Sequence, residues 1–338
     1  MTATQQTAPG SGGAVPVWRR VGDQLLARPL IVIFVLSVIV AALISPAFLS
    51  VRNIANLLQQ SSIIGVISIG MTFVILAAGI DLSVGSVAAL GGMIVAILCQ
   101  DAVPVPIAIV AAVGAGALIG LVMGSIVALT SVPSFIITLG GLTAIRGLTL
   151  LLTDGRPVFG VPEELKFLGA GVIGGGGSTP GIPVVGIIFI IVTILAAAYL
   201  RWTRSGRYLY ATGGNADAAR LSGVPVTLTI ALTFVICSSL AAFGGVLLTA
   251  WLEVGQPTAS AGAELTAIAA VVLGGTSLFG GKGGVFGTFI AVILLSILSN
   301  ILNLAGVSPY FQQITTGLVL IGTVLLNWAI ARRAAPMA

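Results

Sequence analysis

Apolar runs of about twenty residues recur along this sequence with almost no charge inside them: 30–49, 61–80, 83–100, 104–130, 134–153, 183–200, 226–250, 265–280, 285–306 and 310–331. At 1.5 Å per helical residue, each is of the length that crosses a hydrocarbon core roughly 30 Å thick. Asp, Glu, Lys and Arg make up 7% of the 338 residues, against about 25% in a soluble domain. Too few charges remain to cover a water-soluble surface, so a soluble enzyme is excluded. The pattern predicts an all-α, polytopic membrane protein of about ten transmembrane helices. The three weakest runs are the pair meeting at Gly79-Ile80-Asp81-Leu82-Ser83 and the run 265–280, each shortened by polar or Gly-rich breaks.

The cations give an independent test of the count. With the N-terminus in the cytoplasm, Arg19, Arg20, Arg28, Arg201, Arg204, Arg207, Arg220, Lys282, Arg332 and Arg333 fall inside, ten of the 14 cations. Arg52, Arg156 and Lys166 fall outside, and Arg146 lies within a span. Loops on the cytoplasmic side concentrate Lys and Arg, so an even number of spans with both termini cytoplasmic is expected. Eight spans with two re-entrant segments pass the same test. Residues 1–28 are polar and rich in Gly, Ala, Thr and Pro, a composition that buries too little to fold alone. The chain therefore divides into a disordered tail (1–28), a transmembrane domain (29–331) and a short tail (332–338).

Other chemistry is removed by what the composition lacks. There is no His, so His-based nucleophilic catalysis and His-ligated metal sites are unavailable. Cys99 and Cys237 sit in apolar runs and read as small hydrophobes, not as a disulfide or a metal site. The net charge of +5 is spread among loops, so it reads as a topology signal and not as a nucleic-acid surface. Gly116, Gly120 and Gly124 recur every fourth residue within one run. Such a strip lets helix backbones approach closely.

The polar insertion RWTRSGRYLYATGGNADAARLSGVP, 201–225, holds a short helix over Ala216 to Leu221, with Asn215 as N-cap and Gly223 and Pro225 as stop signals. Six residues are too few for a helix that stands alone in water, so either its own bundle or a partner holds it. Three further blocks are GMTFVILAAGIDLSVGSVAALGG, PSFIITLGGLTAIRGLTLLLTDGRPV and LGGTSLFGGKGGVFGTFIAVILLSILSNILNLAGVSPYFQQI. In this order the four blocks resemble the membrane permease of bacterial monosaccharide ABC importers, the ribose, xylose, arabinose and galactose type, from about residue 30 to 331.

The resemblance implies a transport subunit of the cell inner membrane with no catalysis of its own. It further implies pairing with a second permease copy, a periplasmic sugar-binding protein that delivers the substrate, and a cytoplasmic ABC ATPase that uses the ATP and Mg. The block Gly214, Asn215, Ala216, Asp217, Ala218, Ala219, Arg220, Leu221, Ser222 and Gly223 resembles the family's coupling helix, which sits in a groove of that ATPase. The residues agree with this division. A phosphate loop ending at Lys282 requires Gly where Thr276 stands and Ser or Thr where Gly283 stands. No bound cofactor is expected on this chain.

A sugar path needs hydrogen-bonding groups in a hydrocarbon setting, and ionisable residues at membrane depth are functional candidates. Asp81, with Ser83 beside it, lies at a helix break, where it either caps the next helix or meets the sugar. Arg146 either snorkels toward the headgroups or pairs with a carboxylate. Gln59, Gln60, Asn300, Asn303 and Glu264 complete the candidate pathway. In the longest outer loop, 154–182, Pro162-Glu163-Glu164-Leu165-Lys166 reads as the first turn of a short helix. Arg156 there, and Arg52, are candidates for docking the binding protein. The competing readings are an ion-gradient-driven secondary transporter, for which Asp81 is the buried carboxylate, and an ABC permease for a branched-chain amino acid or a nucleoside.

Overall fold

The computed structural model of the chain describes residues 29–130, 132–175, 181–308, 310–315, 317, 318, 321 and 322. The two tails, most of the run 310–331 and residues 176–180 of the outer loop lie outside the described residues, as do Arg19, Arg20, Arg28, Arg332 and Arg333. The described elements, in order, are α1 (Pro29–Ile44), α2 (Val51–Leu76), α3 (Val84–Gln100), α4 (Val105–Leu129), α5 (Ser134–Leu151), α6 (Glu163–Ala170), β1 (Val172–Ile173), β2 (Ile182–Pro183), α7 (Val184–Trp202), α8 (Arg204–Gly214), α9 (Ala216–Leu221), α10 (Val226–Leu252), α11 (Ala263–Leu273) and α12 (Val285–Leu304). The two-residue strands pair antiparallel, Val172 with Pro183 and Ile173 with Ile182. They are a small clasp in an otherwise helical chain.

Among the described residues six helices, α2, α4, α5, α7, α10 and α12, are long and apolar enough to cross a membrane. Three more, α1, α3 and α11, are apolar but shorter. The 11 residues of α11 reach about 16 Å at 1.5 Å each, roughly half a hydrocarbon core. The expected run 265–280 is cut at Leu273 because Gly274 packs against Gly287 and Gly275 takes a φ of 85°. At the other extreme, α2 begins at Val51, well before the apolar run at 61, because the Ser50 hydroxyl accepts from the Asn53 N–H at 3.3 Å. Gln59, Gln60, Ser61 and Ser62 therefore lie inside the helix. The hydroxyls of Ser61 and Ser62 both donate back to the Leu58 carbonyl, which removes their cost in an apolar bundle.

The hub is α10, which packs against α2, α3, α4 and α6. Its contact with α4 runs along the glycine strip. A Cβ built on Gly116 would lie 2.6 Å from the Ser238 carbonyl oxygen, and one on Gly124 2.8 Å from that of Ala231. Gly120 meets the Phe234 carbonyl still more closely. The helices thus run antiparallel at backbone contact. Away from the hub, apolar side chains face outward, among them Val110 at 71% exposed and Leu151 at 73%. This outward apolar surface is what a bilayer solvates. The bundle has two distinct ends, one carrying α8 and α9, the other carrying α6.

Candidate functional site

Two neighbouring features lie between these ends. One is a cavity of about 780 Å³, open on one side, bounded by Gln60 and Ile64 of α2, by Ala261, Gly262, Ala263, Leu265, Thr266 and Ala270 around the start of α11, by Val292, Leu295, Ser296 and Ser299 of α12, and by Gln312, Gln313 and Gly317. Its polar groups are the side chains of Gln60, Thr266, Ser296, Ser299, Gln312 and Gln313. All are uncharged amides and hydroxyls. Among the described residues, none that lines it is ionisable.

The second feature is a polar cluster at the break between α2 and α3. Asp81 is fully buried, and its Oδ1 accepts from the Ser83 N–H at 2.8 Å and the Ser83 hydroxyl at 2.6 Å. Its Oδ2 has no hydrogen-bond partner among the described residues. The expected capping role is thus displaced by two residues: the N-cap of α3 is Ser83, which Asp81 holds from outside the helix. α5 fastens the same break. Ser134 Oγ accepts from the Ile80 N–H at 2.9 Å, the Thr138 hydroxyl reaches the Ile80 carbonyl at 3.2 Å, and the Ser86 hydroxyl donates to the Leu142 carbonyl at 2.7 Å.

Arg146 of α5 lies beside this cluster. Its Nη1 donates to the carbonyls of Pro257 at 2.8 Å and Ala259 at 2.9 Å, pinning the loop between α10 and α11 into the bundle. Glu264 lies within electrostatic reach of the guanidinium and packs on Gly85 in the first turn of α3. α3 and α11 therefore both begin in the interior, where backbone leaves the helix beside polar side chains. Irregular backbone at membrane depth is tolerated where protein or a water-lined cavity satisfies it.

Of the candidate pathway residues, only Gln60 lines the cavity. Asp81, Ser83, Arg146 and Glu264 gather in the adjacent cluster. Gln59 donates to the Gly169 carbonyl of α6 at 2.8 Å. Asn300 exchanges two 2.9 Å hydrogen bonds with Asn53, a tie between α2 and α12. Asn303 accepts from Gln312 at 2.7 Å. Thr266, Ser296, Ser299, Gln312 and Gln313 escaped the sequence reading. Single hydroxyls and amides inside apolar helices carry no signal until the fold brings them to one space.

At the α6 end, Pro162 precedes α6 as the sequence implied, and Lys166 joins two acids, Glu163 at 2.6 Å and Glu253 at 3.3 Å. The hydrogen bond that Lys166 donates to Glu163 first, and that to Glu253 next, raise the Lys166 pKa above the usual lysine value. Arg52 and Arg156 are exposed. At the opposite end, Asn215 Oδ1 accepts from the Ala218 N–H at 2.9 Å and opens α9, which spans Ala216–Leu221 as the sequence implied. α9 buries Ala219 and leaves Leu221 at 91% exposed. The sequence did not reveal α8, capped by Thr203 through the Gly206 N–H at 3.0 Å and anchored by buried Leu209 and Gly213.

A family model described as a branched-chain amino acid transport system permease component matches residues 53–324. The ribose import permease of Escherichia coli is 45% identical over 304 residues, covering 89% of this chain and 92% of the relative. The chain belongs to the ABC-importer permease family. The D-allose transport system permease of Escherichia coli is 38% identical over 304 residues, covering 88% of the permease and 91% of the relative. The xylose transport system permease of Haemophilus influenzae is 36% identical, covering 83% and 90%. No solved structure matches the permease. Family membership makes it a transport subunit of a multi-pass membrane assembly, and the apolar outer surface of its helices fits that setting.

Proposed function

We propose that this permease carries a monosaccharide across the inner membrane by alternating access, driven by a cytoplasmic ABC ATPase and supplied by a periplasmic binding protein. Two copies pair to form the path, and α1, α3, α11 and the run 310–331 join the six long helices to make ten membrane segments with both termini cytoplasmic. The α8–α9 end then faces the cytoplasm and the α6 end the periplasm.

The observation that carries the substrate class is the uncharged lining of the 780 Å³ cavity. A sugar leaving water must recover its hydroxyl hydrogen bonds, and amides and hydroxyls supply both donors and acceptors. A zwitterionic amino acid would in addition need charges of both signs, and burying an unpaired charge is far more costly. The relatives named for ribose, allose and xylose support the same class. Asp81, Arg146 and Glu264 then act beside the path by shaping the breaks that border it.

The Gly214 to Gly223 block is the mechanical input. ATP-driven closure of the partner moves α9, and α8 passes that motion to α7 and the hub helix α10 on either side. Arg52 and Arg156 are placed to meet an acidic rim on the binding protein. The test is uptake of labelled ribose into proteoliposomes holding permease, ATPase and binding protein. Uptake is expected to require ATP, to resist competition by excess leucine, and to vanish when Ala216 to Leu221 is replaced by a Gly/Ser linker. Leucine transport, or ATP-dependent uptake surviving the linker, would overturn the corresponding half of the proposal.

A further inference from the structure

The loop between α11 and α12 carries the Lys282 segment that fails as a phosphate loop, and its geometry shows another use. It is closed on itself: the Ser277 N–H donates to the Lys282 carbonyl at 2.9 Å, the Gly280 N–H to the Ser277 carbonyl at 3.0 Å, and the Phe279 N–H to Ser277 Oγ at 3.2 Å. At its tip Phe279 stands 89% exposed. A large aromatic on a hydrogen-bonded turn presents contact area at little further entropic cost.

The turn is also welded to the end of α2 and to α8, the helix that leads into α9. The Gly281 N–H donates to the Leu76 carbonyl at 3.0 Å, and the Tyr210 hydroxyl donates to the Gly283 carbonyl at 2.9 Å. A Cβ on Gly280 would lie 2.7 Å from the Gly213 carbonyl oxygen, and one on Gly281 2.7 Å from the Gly214 Cα. Both glycines have positive φ, 80° and 70°, so the residue type and the close approach select each other. Phe279 therefore rides on the same backbone junction from which α9 departs, with Leu221 projecting from the far end of that helix.

The charges around these two apolar projections have one sign. Arg201, Arg204, Arg207, Arg220 and Lys282 are exposed, and Asp217, paired to Arg220 at 3.0 Å, is the sole acid in the segments 201–225 and 274–284. We propose that Phe279 is a second anchor for the ATPase subunit, filling an apolar pocket with an acidic rim next to the groove that takes α9. This rests on the docking reading of α9 given above. With two anchors on one rigid junction, motion of the partner reaches α11 and α12, which border the cavity, as directly as it reaches α7 and α10.

The experiment places p-benzoylphenylalanine at Phe279, and separately at Leu221, in permease reconstituted with the ATPase that restores uptake. Irradiation is expected to link both positions to the ATPase. If Leu221 captures the ATPase while Phe279 captures lipid or nothing, the second anchor is wrong and the docking of α9 stands. If neither position captures it, both readings fall. In binding assays, Phe279→Asp is expected to weaken the ATPase complex about tenfold, as loss of a buried aromatic anchor does, whereas Phe279→Leu retains most of the affinity. Binding should weaken as salt screens the cationic rim. Wild-type affinity in Phe279→Asp would overturn the proposal.

Discussion

Arg146 holds two carbonyls with one guanidinium nitrogen at 2.8 and 2.9 Å. The sequence placed this cation in a span and offered headgroups or a carboxylate as its partner, but the loop that receives it was invisible until the chain folded back between α10 and α11. Hydrogen bonds to a charged donor are worth about 1.5–3 kcal/mol each. Arg146→Met is therefore expected to free residues 253–262, read as new protease cleavage there and loss of uptake, with Arg146→Lys intermediate. Asn300 makes the opposite point. Its exchange of amide hydrogen bonds with Asn53 ties two helices together, away from the residues that line the cavity. Asn300→Leu alone should cost roughly 0.6–2 kcal/mol of thermal stability, and the Asn53→Leu, Asn300→Leu pair should recover much of it while the KM for uptake stays unchanged. Thr266→Val or Ser299→Ala, at the cavity wall, should instead raise that KM roughly fivefold for about 1 kcal/mol of lost hydrogen bonding.

Helices were legible in proportion to how local their causes are. α9 has its cap, length and stop within the stretch Asn215 to Pro225, and its bounds were read from those residues alone. Asn215→Ala is expected to remove the bond to Ala218, destabilise α9 by about 1 kcal/mol, and lower uptake-coupled ATP hydrolysis without altering sugar affinity. α8 was missed because Arg204 to Gly214 is polar and holds three glycines. The Thr203 cap is local, but the contact that seats the helix, Gly213 lying against the Leu76 carbonyl, joins residues far apart in sequence. The glycine strip of α4 was legible as a packing face, though its partner was not. Gly120→Leu should force α4 and α10 apart, at the cost of about 1–3 kcal/mol or more typical of overpacking, and lower the yield of folded permease in detergent.

For the whole molecule, the class of the chain follows from hydropathy alone, since a chain 57% apolar and 7% charged has only a bilayer to fold in. The cavity does not follow, because its wall is assembled from segments near 60, 261–270, 292–299 and 312–317 that share no motif. With no ionisable residue among its described lining, uptake at fixed ATP should stay flat between about pH 6 and 8 and survive an uncoupler. Collapse of uptake with the proton gradient would instead revive a coupling role for Asp81. The shortness of α11 has a consequence for how the molecule is made. Eleven residues ending at a Gly-Gly turn cannot stand across a bilayer as an independent insertion unit, and the polar loop ahead of them depends on partners elsewhere in the fold, Arg146 of α5 for the Pro257 and Ala259 carbonyls and Val158 for Gly255. During synthesis this segment settles only once α5 and α10 are in the membrane to receive it, so this part of the cavity wall is built after the scaffold it closes.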